Sequence, residues 1–157
     1  MNLFLFGLTC LAFIVHLLLM KQRTAKKIVE IIVLYLLAIT VGFGAIIAGL
    51  FHIFNGPATA ALIGWPAGSP FQYEVGVADL AFGMVALLGL FFRGNYWLAA
   101  ILANGIFLIG CMIGHVRSLA ESGNTAAYNI GPNIIISDLV VPLVLLGLYL
   151  VYAKMRD

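Results

Sequence analysis

The sequence has very few charged side chains: Asp, Glu, Lys and Arg make up 9% of its 157 residues, whereas 64% are hydrophobic. A soluble domain carries about 25% charged residues, so this chain lacks the side chains that would cover a water-exposed surface. It also lacks a two-residue alternation of polar and apolar positions, for example over residues 28–54, which excludes the strands of a lipid-facing barrel. The composition therefore predicts an all-α, integral membrane helical bundle.

Cysteine and net charge are also low. Cys10 and Cys111 both fall in apolar runs, where we expect them to pack as small side chains rather than to form a disulfide. The formal net charge of +2 is too small to favour nucleic-acid binding. The sequence has no HxxxH, CxxC or HExxH spacing, so it predicts no metal site. It also has no phosphate-binding loop and no nucleophile beside a base. It names no reaction and leaves any cofactor unknown.

Five apolar segments are long enough to cross a bilayer, whose hydrocarbon core of about 30 Å needs roughly 20 helical residues. A Pro- and Gly-rich stretch, residues 55–73, is predicted as an outer loop that contains a short interfacial helix over residues 58–65. A second, polar loop is predicted over residues 120–133. The five helices, all in a single domain, are predicted at residues 2–20, 28–54, 74–92, 96–118 and 134–153.

Basic residues are concentrated at one face of this predicted bundle, and only Arg117 lies on the other. Because Lys and Arg in short loops stay in the cytoplasm, we predict a plasma (inner) membrane protein with its N-terminus outside and its C-terminus in the cytoplasm. The basic residues of the inner face are Lys21, Arg23, Lys26, Lys27, Arg93, Lys154 and Arg156.

Small residues four positions apart indicate where membrane helices pack closely. Ala45 with Gly49, and Gly110 with Gly114, fit this pattern. We favour packing within one bundle over a homodimer interface, although a homo-oligomer or a larger membrane complex stays open. Pro142 is predicted to kink the last helix and to free a carbonyl near Asp138.

Ionisable residues gather toward the outer end of the predicted bundle. Since each costs a few kcal/mol inside a bilayer, a cluster at one depth calls for an explanation. At 1.5 Å per residue, Asp79 lies about 7 Å deeper than Glu74, near the depth expected for His52 and His115. His16, at the inner end of the first helix, is remote from this cluster and is expected at the lipid boundary. The cluster comprises His52, Glu74, Asp79, His115, Arg117 and Asp138.

Asp79 is the most demanding member, because its neighbours along the helix are apolar and it needs a partner from another helix. His52, His115 or Arg117 could supply one. Structural pairing between helices would explain the cluster without any function. The functional alternatives are a pocket for a small molecule or ion, a proton-handling site, and a metal or haem site; the last is the weakest, because two histidines in a bundle usually pack.

Several motifs fall in the same outer region. They are residues 52–57, 63–66, 69–74 and 76–79 with Gly83, followed by Gly114-His115 and by residues 129–142 with Gly131-Pro132, Asp138 and Pro142. Over residues 51–142 the chain resembles a family of uncharacterised small prokaryotic multi-pass membrane proteins and, more distantly, the four-helix DoxX-like group. The DoxX-like resemblance implies a loose association with membrane redox or thiol-stress systems. Five predicted helices depart from its four-helix pattern.

We therefore predict a non-enzymatic polytopic membrane protein, alone or as an accessory subunit, with an outward-facing polar pocket formed by the cluster. The first alternative is a membrane-embedded oxidoreductase or isomerase, in which Asp79 or Glu74 and a histidine transfer protons on a lipid-soluble substrate. The second is a small transporter or channel, for which Asn104 and Thr40 would continue the polar path inward.

Overall fold

Short turns connect six helices in the computed structural model, which describes residues 3–155. This part of the chain contains no strand, so the predicted all-α fold is confirmed. The helices are α1 (Leu3–Leu19), α2 (Ala25–Phe54), α3 (Gly56–Ile63), α4 (Phe71–Leu88), α5 (Asn95–Ser122) and α6 (Ala127–Lys154).

Four of the helices in this range, α2, α4, α5 and α6, are long and apolar enough to cross a membrane. The prediction of a helical membrane bundle is confirmed. The first helix, α1, has 17 residues, about 25 Å at 1.5 Å per residue, which is shorter than a hydrocarbon core of about 30 Å. A crossing by α1, which the five-span topology needs, stays a prediction.

Helix ends differ from the predicted ones by at most four residues, except at the start of the last helix. Of the polar loop predicted over residues 120–133, only residues 123–126 and the bend at Gly131 are not helical. The helix α5 continues to Ser122 and stops where Gly123 adopts a left-handed conformation with φ of 66°. Only four residues later α6 begins, with a bend at Gly131 after its first turn. Local polarity suggested a loop, but the polar side chains of this stretch bond within the bundle. Asn2 and Arg156 lie outside the described residues.

The predicted outer loop is helical in its first half. Pro57 lies in the first turn of α3, where its missing N–H needs no partner, and Gly64 ends the helix with φ of 78°. Residues 64–70 have no regular helix and lead into α4. The short helix expected over residues 58–65 is thus present, two residues earlier than predicted.

Two spans contain π-helical turns, Leu36–Phe43 within α2 and Ile136–Val140 within α6. The second precedes Pro142, which has no N–H to bond the carbonyl of Asp138. The N–H of Val141 accordingly bonds the carbonyl of Ile136, five residues back instead of four. The irregularity predicted at Pro142 therefore takes the form of one widened turn that contains Asp138.

Glycines bring α2 and α4 into backbone contact. A Cβ on Gly49 would lie 2.7 Å from the carbonyl oxygen of Gly76, and a Cβ on Gly76 would lie 2.8 Å from that of Gly49. About two turns further along both helices, a Cβ on Gly83 would lie 2.8 Å from the carbonyl oxygen of Gly42. By contrast, nothing lies within 4 Å of a Cβ on Gly110 or Gly114. Internal packing was the right interpretation for Gly49 and the wrong one for the pair on α5.

The apolar core lies between α2, α4, α5 and α6, near the end of the bundle where Lys21, Lys27, Arg93 and Lys154 are found, here named the basic end. Trp97 is fully buried and donates from Nε1 to the carbonyl of Gly89 at 2.8 Å. Around it the core is formed by Val33, Leu34, Leu37, Val41, Ala86, Ala100, Ile101, Val141, Leu145 and Tyr149.

Polar contacts join helices inside the bundle. The hydroxyls of Thr9 and Thr40 lie 2.8 Å apart and link α1 to α2. The Asn104 side-chain amide donates to the carbonyl of Ala100 at 2.9 Å and to that of Phe82, on α4, at 3.4 Å. Thr40 and Asn104 thus serve contacts between helices, which is the role expected of an intramembrane asparagine.

Candidate functional site

The candidate site lies at the end of the bundle opposite the basic end, here named the network end. It is formed where the C-terminal turns of α2 and α5 meet α3, the loop 64–70 and the first turns of α4 and α6. Hydrogen bonds between side chains are frequent here, because the helix ends and the loop present polar groups that must find partners.

His115 is the centre of this region. The residue is 7% exposed, and its Nδ1 lies 2.9 Å from Oδ1 of Asn129. The Asn129 amide nitrogen bonds two carbonyl oxygens, those of His115 at 3.2 Å and Asn124 at 2.9 Å, so its oxygen must be the end that faces the imidazole. Nδ1 therefore carries the proton, and in the neutral ring Nε2 presents a lone pair.

Asn129 and Asn124 connect the helix ends to the loop. Asn129 is fully buried at the start of α6. The Asn124 side-chain amide donates to the carbonyl of Ile63 at 2.9 Å and to Oγ of Ser118 at 3.2 Å. These bonds hold the end of α3, the end of α5 and the start of α6 in one arrangement.

Trp65 covers His115 from the loop side. Its indole stacks on the imidazole with ring centroids 5.4 Å apart and planes inclined by 22°. Its Nε1 donates to Oγ of Ser118 at 3.2 Å. The orientation of His115 is thus determined by Asn129 along the ring plane and by Trp65 against the ring face.

Asp138 faces His115 across a gap. Its Oδ2 lies 3.9 Å from Nε2 of His115, longer than a hydrogen bond, while Oδ1 accepts from the Ser137 hydroxyl at 2.5 Å. The Asp138 side chain is nearly buried, and the widened turn before Pro142 determines its direction. One carboxylate oxygen and one imidazole nitrogen therefore face each other without bonding.

Asp79 lies on the neighbouring helix, α4, and is 7% exposed. Within residues 3–155 its carboxylate makes no hydrogen bond and no ion pair. It lies within electrostatic range of Asp138 and of the Cys111 thiol on α5. Because no fully buried side-chain oxygen in the described chain lacks a partner, the Asp79 carboxylate retains a small accessible surface. Asp79, His115 and Asp138 are here called the interior triad.

The other three predicted members lie outside the interior triad. Nδ1 of His52 bonds Oε1 of Gln72 at 2.7 Å instead of reaching Asp79. The Glu74 side chain is exposed, since five residues along a helix turn it about 140° away from Asp79. Arg117 bonds Glu121 at 2.6 Å, with 75% of its side chain exposed, since two residues turn it about 200° away from His115.

Sequence reasoning did not include the partners that orient the site: Trp65, Gln72, Ser118, Asn124 and Asn129. One of them carried a usable signal. Gln72 precedes Asp79 by seven residues, which is close to two full helical turns and places both side chains on one face of α4. Asn129 could not be found in this way, because its helix was expected to begin at residue 134.

The interior triad presents acceptors. It offers the free oxygen of Asp138, the carboxylate of Asp79 and, in the neutral ring, the lone pair on Nε2 of His115. Within the described chain no group of three or more His, Cys, Asp or Glu side chains is arranged to hold a metal ion, and Cys10 and Cys111 are both free. An arrangement of this kind can accept hydrogen bonds from a ligand that has several N–H or O–H groups.

Comparison with known proteins gives a family and no closer relative. No curated protein and no solved structure matches the chain. A family model matches residues 1–157, its whole length. On that match, the chain belongs to DUF6790, a family of unknown function.

Proposed function

We propose that this membrane protein binds a small organic cation with N–H donors at Asp79, His115 and Asp138, and that it does so without catalysing a reaction. The observation that supports this most directly is the pairing of two nearly buried carboxyl groups, Asp79 and Asp138, with no Lys or Arg facing them within residues 3–155. Two carboxyl groups this close in an apolar bundle either keep their protons or, when ionised, need a compensating positive charge.

The geometry of His115 narrows the class of ligand. With its proton on Nδ1, held by Asn129, the imidazole offers an acceptor at Nε2 beside the free oxygen of Asp138. A primary ammonium group has three N–H donors and one positive charge, so it can bond all three members of the interior triad. A cation without N–H groups would supply the charge but not the hydrogen bonds.

Orientation belongs to the same proposal. With the basic end in the cytoplasm, the network end faces outward, and the ligand enters from outside a plasma membrane. The loop 64–70, where Trp65 stacks on His115, lies at this end, so a ligand from outside would have to pass it. Of the six residues predicted to form an outward-facing pocket, this proposal keeps three: Asp79, His115 and Asp138.

The experiment is thermal unfolding of the purified protein in detergent with methylammonium, tetramethylammonium or sodium chloride at constant ionic strength. We expect only methylammonium to raise the melting temperature in a saturable way, by roughly 3–6 °C at about ten times its Kd. The double variant D79N/D138N should lose the increase. The matched control E74Q, an exposed carboxylate at the same end, should keep it.

Equal melting temperatures of the unmodified protein in all three salts would contradict an ammonium site. In that case the carboxyl groups are protonated structural residues, and D79N/D138N should match or exceed the stability of the unmodified protein. An increase in melting temperature with tetramethylammonium as large as that with methylammonium would support a cation site, but it would show that N–H donors are not needed for binding.

An enzyme is the second candidate, because a histidine oriented by Asn129 with Nε2 beside a carboxylate is also arranged to move a proton. The substrate would then be a lipid-soluble molecule with an acidic proton. Extraction of the natively purified protein followed by mass spectrometry tests this. A bound quinone or sterol-like lipid that is absent from D79N/D138N would favour the enzyme.

Other predictions made from the sequence keep the status of proposals. Transport would need polar groups that continue toward the basic end, whereas Thr40 and Asn104 form contacts between helices. A role as an accessory subunit would need a partner surface, and the open face of α5 at Gly110 and Gly114 is where it should be sought by cross-linking. The likeness to DoxX-like proteins and the prokaryotic origin stay predictions.

A further inference from the structure

Two adjoining cavities lie beside α1 at the basic end, far from the interior triad. The first has a volume of about 430 Å³ and the second about 480 Å³. His16 and Met20 line both of them, so the two spaces meet at these side chains. The Nδ1 atom of His16 lies 2.9 Å from the Tyr35 hydroxyl, which places a polar pair at the boundary.

The first cavity is basic. Lys21, Lys27 and Arg93 line it together with Glu30, so three cations and one carboxylate leave a formal charge of +2. Glu30 already pairs with Arg93 at 3.2 Å. Across the described residues neither Lys21 nor Lys27 has its ammonium group against a carboxylate. The two lysines therefore leave a positive potential in a concave space.

The second cavity is mainly apolar. Ala12, Val15 and Leu19 line it along one side of α1, at positions spaced three and four residues apart. Tyr35 of α2 lines it from the other side, near the polar boundary. This space continues from the basic cavity toward the hydrophobic part of α1.

We propose that these cavities bind an anionic glycerophospholipid. Its phosphate lies among Lys21, Lys27 and Arg93, and one acyl chain lies along α1 past His16 against Ala12 and Val15. The basic cavity is followed by the apolar cavity, just as the charged headgroup of a lipid at the interface is followed by its hydrocarbon chain.

A lipid explains both cavities, whereas a soluble phosphate compound would explain only the first. Basic pockets between helices are suited to anionic headgroups, and each lysine or arginine near the membrane surface adds attraction. The apolar space adds the burial of an acyl chain, which a water-soluble phosphate cannot supply. The lipid would also connect α1, which is shorter than the four long apolar helices, to α2.

The experiment measures the melting temperature of the full chain in dodecyl maltoside as dioleoyl phosphatidylglycerol is added. Dioleoyl phosphatidylcholine tests the need for negative charge, and glycerol 3-phosphate tests the need for acyl chains. We expect a saturable rise with phosphatidylglycerol alone. In K21Q/K27Q the lipid fraction that gives half of the rise should increase roughly 10- to 30-fold, the effect of two interfacial charges.

Matched variants separate the site from general charge effects. R23Q/K154Q removes two cations at the same end, and neither residue lines either of these two cavities, so its response should equal that of the unmodified protein. A12F should fill the apolar space and abolish the rise, while A81F, at an exposed alanine of α4, should not. Lys21 and Lys27 are exposed, so K21Q/K27Q should melt at the unmodified temperature without lipid.

Three outcomes would overturn the proposal. Equal losses in K21Q/K27Q and R23Q/K154Q would show attraction to the whole basic end rather than to a site. A rise with glycerol 3-phosphate as large as with the lipid would assign the basic cavity to a soluble phosphate compound. A rise with phosphatidylcholine equal to that with phosphatidylglycerol would remove the role of the lysines.

Discussion

The two ends of the bundle are held together in different ways. At the basic end Trp97 and Tyr149 are buried among aliphatic side chains, and their polar atoms donate to the carbonyls of Gly89 and Gly94. At the network end Asn129, Asn124 and Trp65 bond other side chains and loop carbonyls. One end thus relies on packed volume, and the other on hydrogen-bond direction.

The difference shows where a site can form. In the apolar core, the buried N–H of Trp97 is bonded to the carbonyl of Gly89, so it is not available to a ligand. At the other end, the bonds that orient His115 use Nδ1 and leave Nε2 facing Asp138 at 3.9 Å. A hydrogen-bonded framework can therefore present acceptors that a packed core would exclude.

The largest expected effect breaks the packed end. Trp97→Ala removes a fully buried side chain and its hydrogen bond to Gly89, so we expect a loss of about 3–5 kcal/mol in the free energy of unfolding, measured by dodecyl sulfate titration. Trp65→Ala, at a half-buried residue of the network end, should cost less. Equal losses would show that both ends depend on packed volume alike.

The next effect tests the contact that extends along α2 and α4 between the two ends. Gly49→Leu would place side-chain atoms where the Gly76 carbonyl lies, and we expect a loss of about 1–3 kcal/mol in the same titration. Gly110→Leu is the control, since its added side chain meets open space. A similar loss in Gly110→Leu would place a second packing surface on α5.

A comparable or smaller loss should follow from breaking the framework around His115. Asn129→Ala leaves the buried imidazole N–H without its acceptor, and we expect a cost of about 1–3 kcal/mol. The methylammonium response should fall with it, because the ring is then free to turn. Asn95→Ala, at an exposed asparagine of the basic end, should change neither quantity.

The smallest effect concerns the polar contact between α1 and α2. A double-mutant cycle with Thr9→Val and Thr40→Val should give a coupling of about 0.6 kcal/mol, the average for such bonds in membrane helices. Unfolding in detergent is again the measurement. A coupling near zero would mean that the contact between the two hydroxyls does not help to hold α1 against α2.

The depth of a residue in the bundle can be predicted from the sequence by counting residues. The side of the helix on which it lies depends on its rotation about the helix axis, which a count of depth does not include. Counting rise per residue brought Asp79 near the depth of His115, and the structure has Asp138, expected in the same outer cluster, near both of them. Glu74 and Arg117 were expected in the same outer cluster, although their positions on the helical circle turn their side chains outward. A rotation of 100° per residue excludes Glu74 and Arg117 from the face of the helix that carries the site, and it places Gln72 on the face of Asp79.

The remaining features depended on long-range contacts. Gly131 and the polar residues around it predict a loop by composition, yet Asn129 lies in the first turn of α6, where His115 and Asn124 bond its side chain. The stacking of Trp65 on His115 joins residues fifty positions apart, and no local pattern contains it. Apolar helices follow from composition, whereas the hydrogen bonds between loops depend on the finished fold.

The placement of the two tryptophans gives the molecule a pair of built-in fluorescent reporters. Trp97 is fully buried, and Trp65 lies face to face with the His115 imidazole. Emission from Trp65 should therefore change when the His115 ring moves away from the indole, while the fully buried Trp97 serves as the reference. A spectrum of the native chain thus reads the state of the interior triad without any attached dye.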